Sequence, residues 1–414
     1  MRALSFDVTI PRYLLARATG RWTDRAALGA VRMASVADPC IPGPGWARLE
    51  VLAAGICGTD LITLAFSHSP ALEPFNSFPA VPGHEILARV VEVGPAVDRV
   101  QVGQRVVVDP ILSCTVRGFA PEAACPSCAE GAPGTCDRAG EPGEVQIDGR
   151  PLSPGCTIGS NRDLPGGWGE QLVAHQSQLH PVSDNLADAV AVLIEPLSIP
   201  VHALLRSPPQ GNEPVLVIGS GPIALGAVWA LRATGFRGSI VTQAKRPHEA
   251  ALAKALGADE VVTPGPEARR ALLDTGARAY QPTLGPEVYR GGGFSTVFDC
   301  VGSASSVDQA LCFARSRGRI MLLGCAGMLR NIDLTPLWAR ELQVLGYFVY
   351  GTETWRGEAR HTFEVTQQLL LETDAPVGDL VTHHFALDRY REALRAAADH
   401  ARSGAIKVVL HPRE

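Results

Sequence analysis

Short apolar runs broken by turn residues fill the first half of the chain. Trp46 to Leu52, Ile86 to Val93 and Arg105 to Val108 each read as a strand, punctuated by Val93-Gly94-Pro95 and Val102-Gly103-Gln104. Runs of this kind with Gly and Pro between them predict a β-rich domain with long loops. The stretch from Glu141 to Pro165 is rich in Pro and Gly and predicts a surface excursion. The pattern changes after Pro208. Val215-Leu216-Val217-Ile218 is continuously apolar, as expected of a parallel strand buried on both faces. A helix is predicted from Pro222 to Thr234, a strand over Ser239 to Thr242, and a second helix from Pro247 to Leu256 with Gly257 as its C-cap glycine. Strands over Glu260 to Val262, Val297 to Cys300 and Arg319 to Gly324 continue the alternation, which predicts a doubly wound parallel sheet. Helices near Arg360 to Glu372 and Leu387 to His400 and a last strand over Lys407 to Leu410 close the chain. Two domains are expected: a β-rich one over 1–207 completed by 347–414, and a doubly wound one over 208–346.

Size and charge narrow the function. A chain of 414 residues has room for two cores, and an apolar share of 46% can fill both. The formal net charge is −5 with no long basic run, so the concentrated Lys/Arg surface of a nucleic-acid binder is missing. No apolar run is long enough to span a bilayer, and no membrane partner is expected. The first residues lack the uninterrupted apolar stretch and small-residue cleavage site of a secretory signal, so a cytoplasmic protein is expected. Ten cysteines are many for a reducing compartment, and four of them crowd between Cys114 and Cys136. In a reducing compartment cysteines are more often metal ligands or buried apolar residues than disulfides, and the clustering points to a metal over random core packing.

Gly219-Ser220-Gly221-Pro222-Ile223-Ala224 follows the first strand of the second domain and opens its first helix. Gly219 permits the tight turn, Gly221 lets backbone approach a pyrophosphate, and the helix start at Pro222 and Ile223 offers free N–H groups. The second strand runs into Thr242-Gln243-Ala244-Lys245-Arg246, with no carboxylate where a ribose hydroxyl of NAD would be bound. Lys245 and Arg246 would welcome a 2′-phosphate instead, so NADP(H) is expected in preference to NAD(H). The alternative is a solvated loop that happens to be basic.

Three further pieces carry metal-binding chemistry: Gly55-Ile56-Cys57-Gly58-Thr59-Asp60, Gly83-His84-Glu85 and Glu195-Pro196-Leu197-Ser198. A thiolate, an imidazole and carboxylates suit zinc, which takes S, N and O donors tetrahedrally and keeps one position open when catalytic. With the glycine turn, these motifs and Gly166-Gly167-Trp168-Gly169-Glu170-Gln171 resemble the zinc-containing medium-chain dehydrogenase/reductase family, in the branch near threonine, sorbitol and glucose dehydrogenases.

The resemblance implies a GroES-like catalytic domain, a Rossmann domain and a homodimer or homotetramer. It implies a zinc-dependent oxidoreductase that moves hydride between a nicotinamide coenzyme and a small alcohol, aldehyde or ketone. Under it, Cys57 and His84 become zinc ligands, Glu85 becomes a ligand or a nearby carboxylate, and Glu195 binds zinc directly or through its water. Thr59 relays the substrate proton and Asp60 orients His84. The histidine that relatives place soon after this motif is absent, since Leu61-Ile62-Thr63 follows. Val301, Leu323 and Gly324 match segments that flank the nicotinamide, and Trp168 is either a wall of the substrate cavity or a buried structural aromatic. His68 is a loop residue that could line the substrate entrance. A reductase of carbon–carbon double bonds in enals or enones, and a catalytically silent binding protein of this fold, remain alternatives.

Cys125, Cys128 and Cys136 resemble the family's structural zinc lobe, but its first cysteine is replaced by Glu122. Cys114 would then supply the fourth thiolate of a closed structural site. The alternatives are a metal-free remnant or a weak site using Glu122.

Overall fold

The computed structural model describes residues 1–11, 13–14, 30–67, 69–325 and 327–414. His68 lies outside them. The chain falls into two compact units, 1–195 with 350–352 and 381–414, and 196–349 with 353–380. These bounds differ from the expected 207/208 and 346/347, and the packing of two helices explains the difference. Leu197 of helix Ile194–Arg206 packs so closely on Gly226 that an added Cβ there would stand 2.8 Å from Leu197 Cδ2. Ser198 Oγ meets Thr366 Oγ1 of helix Thr362–Glu372 at 2.9 Å in the interior, and Trp229 Nε1 donates to Thr373 Oγ1 at 3.2 Å. Both helices therefore complete the second unit.

Among the described residues the first unit is built on a seven-stranded sheet. Its order is Val381–Ala386, Lys407–His411, Trp46–Ile56, Ile86–Val93, Arg105–Val108 and Leu179–Pro181, with Gln171–His175 also paired to Trp46–Ile56. Alternation along Trp46–Ile56 buries Leu49 and Val51 in one core cluster with Ile86, Val90 and Val106. The Pro/Gly-rich stretch is not the expected surface excursion throughout: Leu152, Ile158 and Leu164 are fully buried in this core. Apolar side chains spaced along an otherwise polar segment were enough to draw it inward.

The second unit holds a six-stranded parallel sheet in the order Glu260–Val262, Ile240–Gln243, Val215–Ile218, Phe294–Asp299, Ala314–Leu322 and Gln343–Gly346. Helices Pro222–Ala233, Pro247–Ala255 and Ala304–Phe313 link successive strands. The strand order reverses between Val215–Ile218 and Phe294–Asp299, which is where a doubly wound sheet binds its ligand. A hairpin, Ala277–Tyr280 with Val288–Gly291, interrupts the alternation and was not read from the sequence. Among the described residues no helix is long and apolar enough to cross a membrane.

Candidate metal and coenzyme sites

Strand register assembles the first site. Ala54 lies opposite Ile86, and the Gly55 N–H donates to Glu85 O at 2.9 Å, so Cys57 and the His84-Glu85 pair leave adjacent strands at the same end. Cys57 then caps helix Gly58–Leu64, and its own N–H donates to Asp60 Oδ2 at 2.9 Å. Asp60 Oδ1 accepts from His84 Nδ1 at 3.1 Å, which leaves Nε2 as the donor atom toward a metal. Thr59 Oγ1 sits 3.5 Å from that Nε2. Burial disfavours the imidazolium, yet the Asp60 carboxylate and the Cys57 sulfur together outweigh it and lift the proton affinity of His84 well above the ordinary range. The ligand atoms of Cys57, His84 and Glu85 all lie within 4.8 Å of one another.

Two glycines make this possible. A Cβ on Gly55 would stand 1.8 Å from Glu85 Oε2, and one on Gly83 would stand 2.4 Å from Trp168 Cδ1. Trp168 is fully buried, and its Nε1 donates to Gly55 O at 3.2 Å, so it is a structural aromatic.

Sequence reasoning missed Lys407 and Tyr350. Val408 pairs with Ile56, which carries Lys407 to the same strand end. Lys407 Nζ, on a side chain 3% exposed, donates to Glu85 Oε1 and Oε2 at 2.5 and 2.7 Å. Glu195 lies outside the tight set of three but is 3% exposed, and Tyr350 Oη donates to its Oε1 at 3.1 Å. Its Oε2 is buried with no hydrogen-bond partner among the described residues. Burial, with Glu85 adding to it, pushes Glu195 up to about 8 against the pull of His84, Lys407 and Tyr350. A buried oxygen left without a partner beside a thiol, an imidazole and a second carboxylate is the signature of a site built for a cation, and the donor set fits zinc.

The second cluster draws in Cys114. The sulfurs of Cys114, Cys125, Cys128 and Cys136 lie within 4.8 Å of one another, whereas Glu122 is exposed and outside the set. Backbone N–H groups converge on them: Cys125 donates to Cys114 Sγ at 3.4 Å, Cys128 to Cys125 Sγ at 3.5 Å and Cys114 to Cys128 Sγ at 3.5 Å. Such donors favour thiolates. The Cys128 thiol donates to Cys136, which pulls Cys136 down to about 5 and pushes Cys128 up, and burial raises Cys114 as well. The buried Arg117 ties the lobe together by donating to Leu112 O, Ala139 O and Glu141 O at 3.1, 3.0 and 2.8 Å.

The coenzyme motif lies in the second unit. Gly219 has φ +117°, a conformation that suits glycine, and an added Cβ would approach Val301 Cγ2 at 3.1 Å. Space around Gly221 is open, and helix Pro222–Ala233, with Ile223 in its first turn, starts there. Buried Asp299 holds the neighbouring strand ends: its Oδ1 accepts from Val301 and Gly302 N–H at 2.9 and 3.0 Å. Its carbonyl accepts from Leu323 and Gly324 N–H, both at 2.9 Å. Val301, Leu323 and Gly324 are thus brought together. Lys245 is exposed and has no ion pair among the described residues, but Arg246 is not free: it pairs with Glu249.

A GroES-like β domain and a doubly wound coenzyme sheet, with a Cys-His-carboxylate cluster in the former, define a medium-chain dehydrogenase/reductase. Residues 43–184 match the family model "Alcohol dehydrogenase GroES-like domain", and residues 222–364 match "Zinc-binding dehydrogenase". The chain is 29% identical over 374 residues to L-idonate 5-dehydrogenase of Vitis vinifera, covering 89% of this chain and 88% of that protein. It is 29% identical over 373 residues to sorbitol dehydrogenase of Arabidopsis thaliana, with 89% of each covered. The crystal structure of 2R,3R-butanediol dehydrogenase from Bacillus subtilis superposes with a TM-score of 0.71 at 21% identity over 99% of each chain, which shows the common fold. The chain belongs to the zinc-type alcohol dehydrogenase family of this class, and it is an enzyme of alcohol–carbonyl oxidoreduction.

Proposed function

We propose that the enzyme holds one catalytic and one structural zinc per chain and oxidises a secondary alcohol of a polyhydroxylated substrate with NADP⁺. The donor set of Cys57, His84 and Glu85, beside the unpartnered Glu195 Oε2, carries this reading. The names of the sorbitol and L-idonate relatives support the substrate class. Zinc bound there would supply Lewis acidity toward the substrate oxygen, and a nicotinamide coenzyme would supply the acceptor for the hydride and its electron pair. Cys57, His84 and Glu85 would hold the metal, with Lys407 offsetting the charge of Glu85, and Glu195 Oε2 would be left to bind it directly or through a water. Asp60 keeps the proton on His84 Nδ1 so that Nε2 presents its lone pair. Thr59 Oγ1 receives the proton that leaves the substrate oxygen and passes its own outward. The NADP(H) preference rests on the missing carboxylate at the second strand end and on Lys245.

Assay of polyols, their ketoses and an enal with both coenzymes, alongside a zinc determination, tests the reading. Two zincs, carbonyl products and faster turnover with NADP⁺ are expected. A saturated aldehyde from the enal, or a strong NAD⁺ preference, would refute the corresponding part.

Four sulfurs from Cys114, Cys125, Cys128 and Cys136 hold the structural zinc in this proposal. Cys114→Ser is expected to lower the content from two zincs to one per chain and to reduce the melting temperature. Retention of two zincs would return the fourth position to Glu122 or water.

A further inference from the structure

We propose that Glu249 sets the balance between NADP(H) and NAD(H) by placing a fixed negative charge beside the 2′ position of the coenzyme's adenosine ribose. The inference rests on the reading above that the adenosine end binds at the end of the second strand. Parallel register sets Ile218 beside Gln243, so that end lies next to the Gly219-Ser220-Gly221 turn. In this position a doubly wound coenzyme site carries the residue that reads the 2′ group. Gln243, 3% exposed, stands there, and its Nε2 has no partner among the described residues.

The carboxylate missing from the strand arrives from the next helix. Glu249 is the third residue of Pro247–Ala255 and is 4% exposed. Its Oε2 accepts from Ser220 Oγ, inside the glycine turn, at 2.7 Å and from the Lys245 N–H at 3.3 Å. Its Oε1 takes the Arg246 guanidinium. Burial opposes ionisation, but Ser220 and Arg246 outweigh it and hold the carboxyl below its ordinary range, so the group is charged at neutral pH.

Two consequences follow for a 2′-phosphate. The charge that Arg246 would offer is already half-committed to Glu249, and the carboxylate repels the phosphate directly. A 2′-hydroxyl, by contrast, finds in Glu249 an acceptor. The chain therefore discriminates in favour of the phosphate less than Lys245 and Arg246 alone would allow. Glu249→Gln, which keeps the shape and the bond to Ser220, removes that brake.

Calorimetric titration of the full-length enzyme with 2′,5′-ADP and 5′-AMP reads the effect without turnover. Glu249→Gln is expected to raise the ratio of affinities for 2′,5′-ADP over 5′-AMP by about tenfold, the worth of one partly screened charge. Arg246→Gln, whose side chain is partly exposed, is expected to lower the same ratio by about tenfold, because the carboxylate loses its counter-charge. An unchanged ratio in Glu249→Gln, or equal weakening of both ligands in Arg246→Gln, makes the pair a scaffold only and overturns the proposal. Tighter binding of 5′-AMP than of 2′,5′-ADP by the wild type would refute the NADP(H) reading, while the shift on substitution would still decide the role of Glu249.

Discussion

Cys57→Ala is expected to leave one zinc per chain and to cut kcat/KM at least about a thousandfold. The thiolate is the one anionic sulfur among the proposed catalytic ligands, and the alanine methyl offers no donor. A Lewis acid contributes several kcal/mol of charge stabilisation to the developing alkoxide, and each 1.36 kcal/mol is about tenfold in rate. Folding is expected to survive, since the Cys57 backbone N–H, rather than its sulfur, bonds Asp60 at 2.9 Å. Metal analysis and circular dichroism on the same sample separate the two effects. Two zincs and undiminished turnover would remove Cys57 from the metal site.

Lys407→Met is expected to destabilise the enzyme by about 3–5 kcal/mol. Glu85 and Lys407 are side chains 1% and 3% exposed, and the ammonium donates to both carboxylate oxygens. In the metal-free protein, methionine leaves the carboxylate buried without its counter-charge, which costs more than the pair contributes. The double variant Lys407→Met with Glu85→Gln is expected to recover much of the loss, since the amide needs no counter-ion. Burial opposes the charge on Lys407, but Glu85, with Cys57 and Glu195, outweighs it and raises its proton affinity above the ordinary 10.5. A raised lysine keeps its stabilisation below that value and loses it only as pH climbs through the folded one. The difference between wild type and Lys407→Met in denaturant titrations is therefore expected to be flat from pH 6 to about 9 as far as this ammonium is concerned. A loss below about 1 kcal/mol would mean that water reaches the pair.

Much of the fold was legible in the sequence because its signals are local. Val215–Ile218 is apolar without a break, and the turn that follows needs the positive φ that Gly219 supplies. The GroES-like and doubly wound architecture followed from that alternation and from the resemblance. Cys57, His84 and Glu85 were legible as motifs because each sits one or two residues from a strand end. What stayed hidden depends on chain segments far apart. Lys407 is separated from Glu85 by 322 residues and reaches it through the pairing of Val408 with Ile56. Tyr350 meets Glu195 across 155 residues. Arg246 read as a free cation, since nothing in its immediate neighbours announces that Glu249, one helical turn on, is turned back onto it and onto Ser220. The domain bounds escaped for a similar reason, because helix packing on Gly226 and Trp229 leaves no pattern at the boundary itself.

Trp168 gives the proposed catalytic site a mechanical property. Its indole fills the space that glycine leaves at position 83 and holds the carbonyl of Gly55, so one rigid ring touches both segments from which Cys57 and His84 project. Neither segment's backbone can shift without disturbing the other. As the proposed zinc ligands, such a pair would act as a preorganised chelator: the entropy of gathering the donors would be lost when the chain folds, not when the metal arrives. Metal capture should then be governed by dehydration of the ion, and release by a loosening of the whole strand end around that ring.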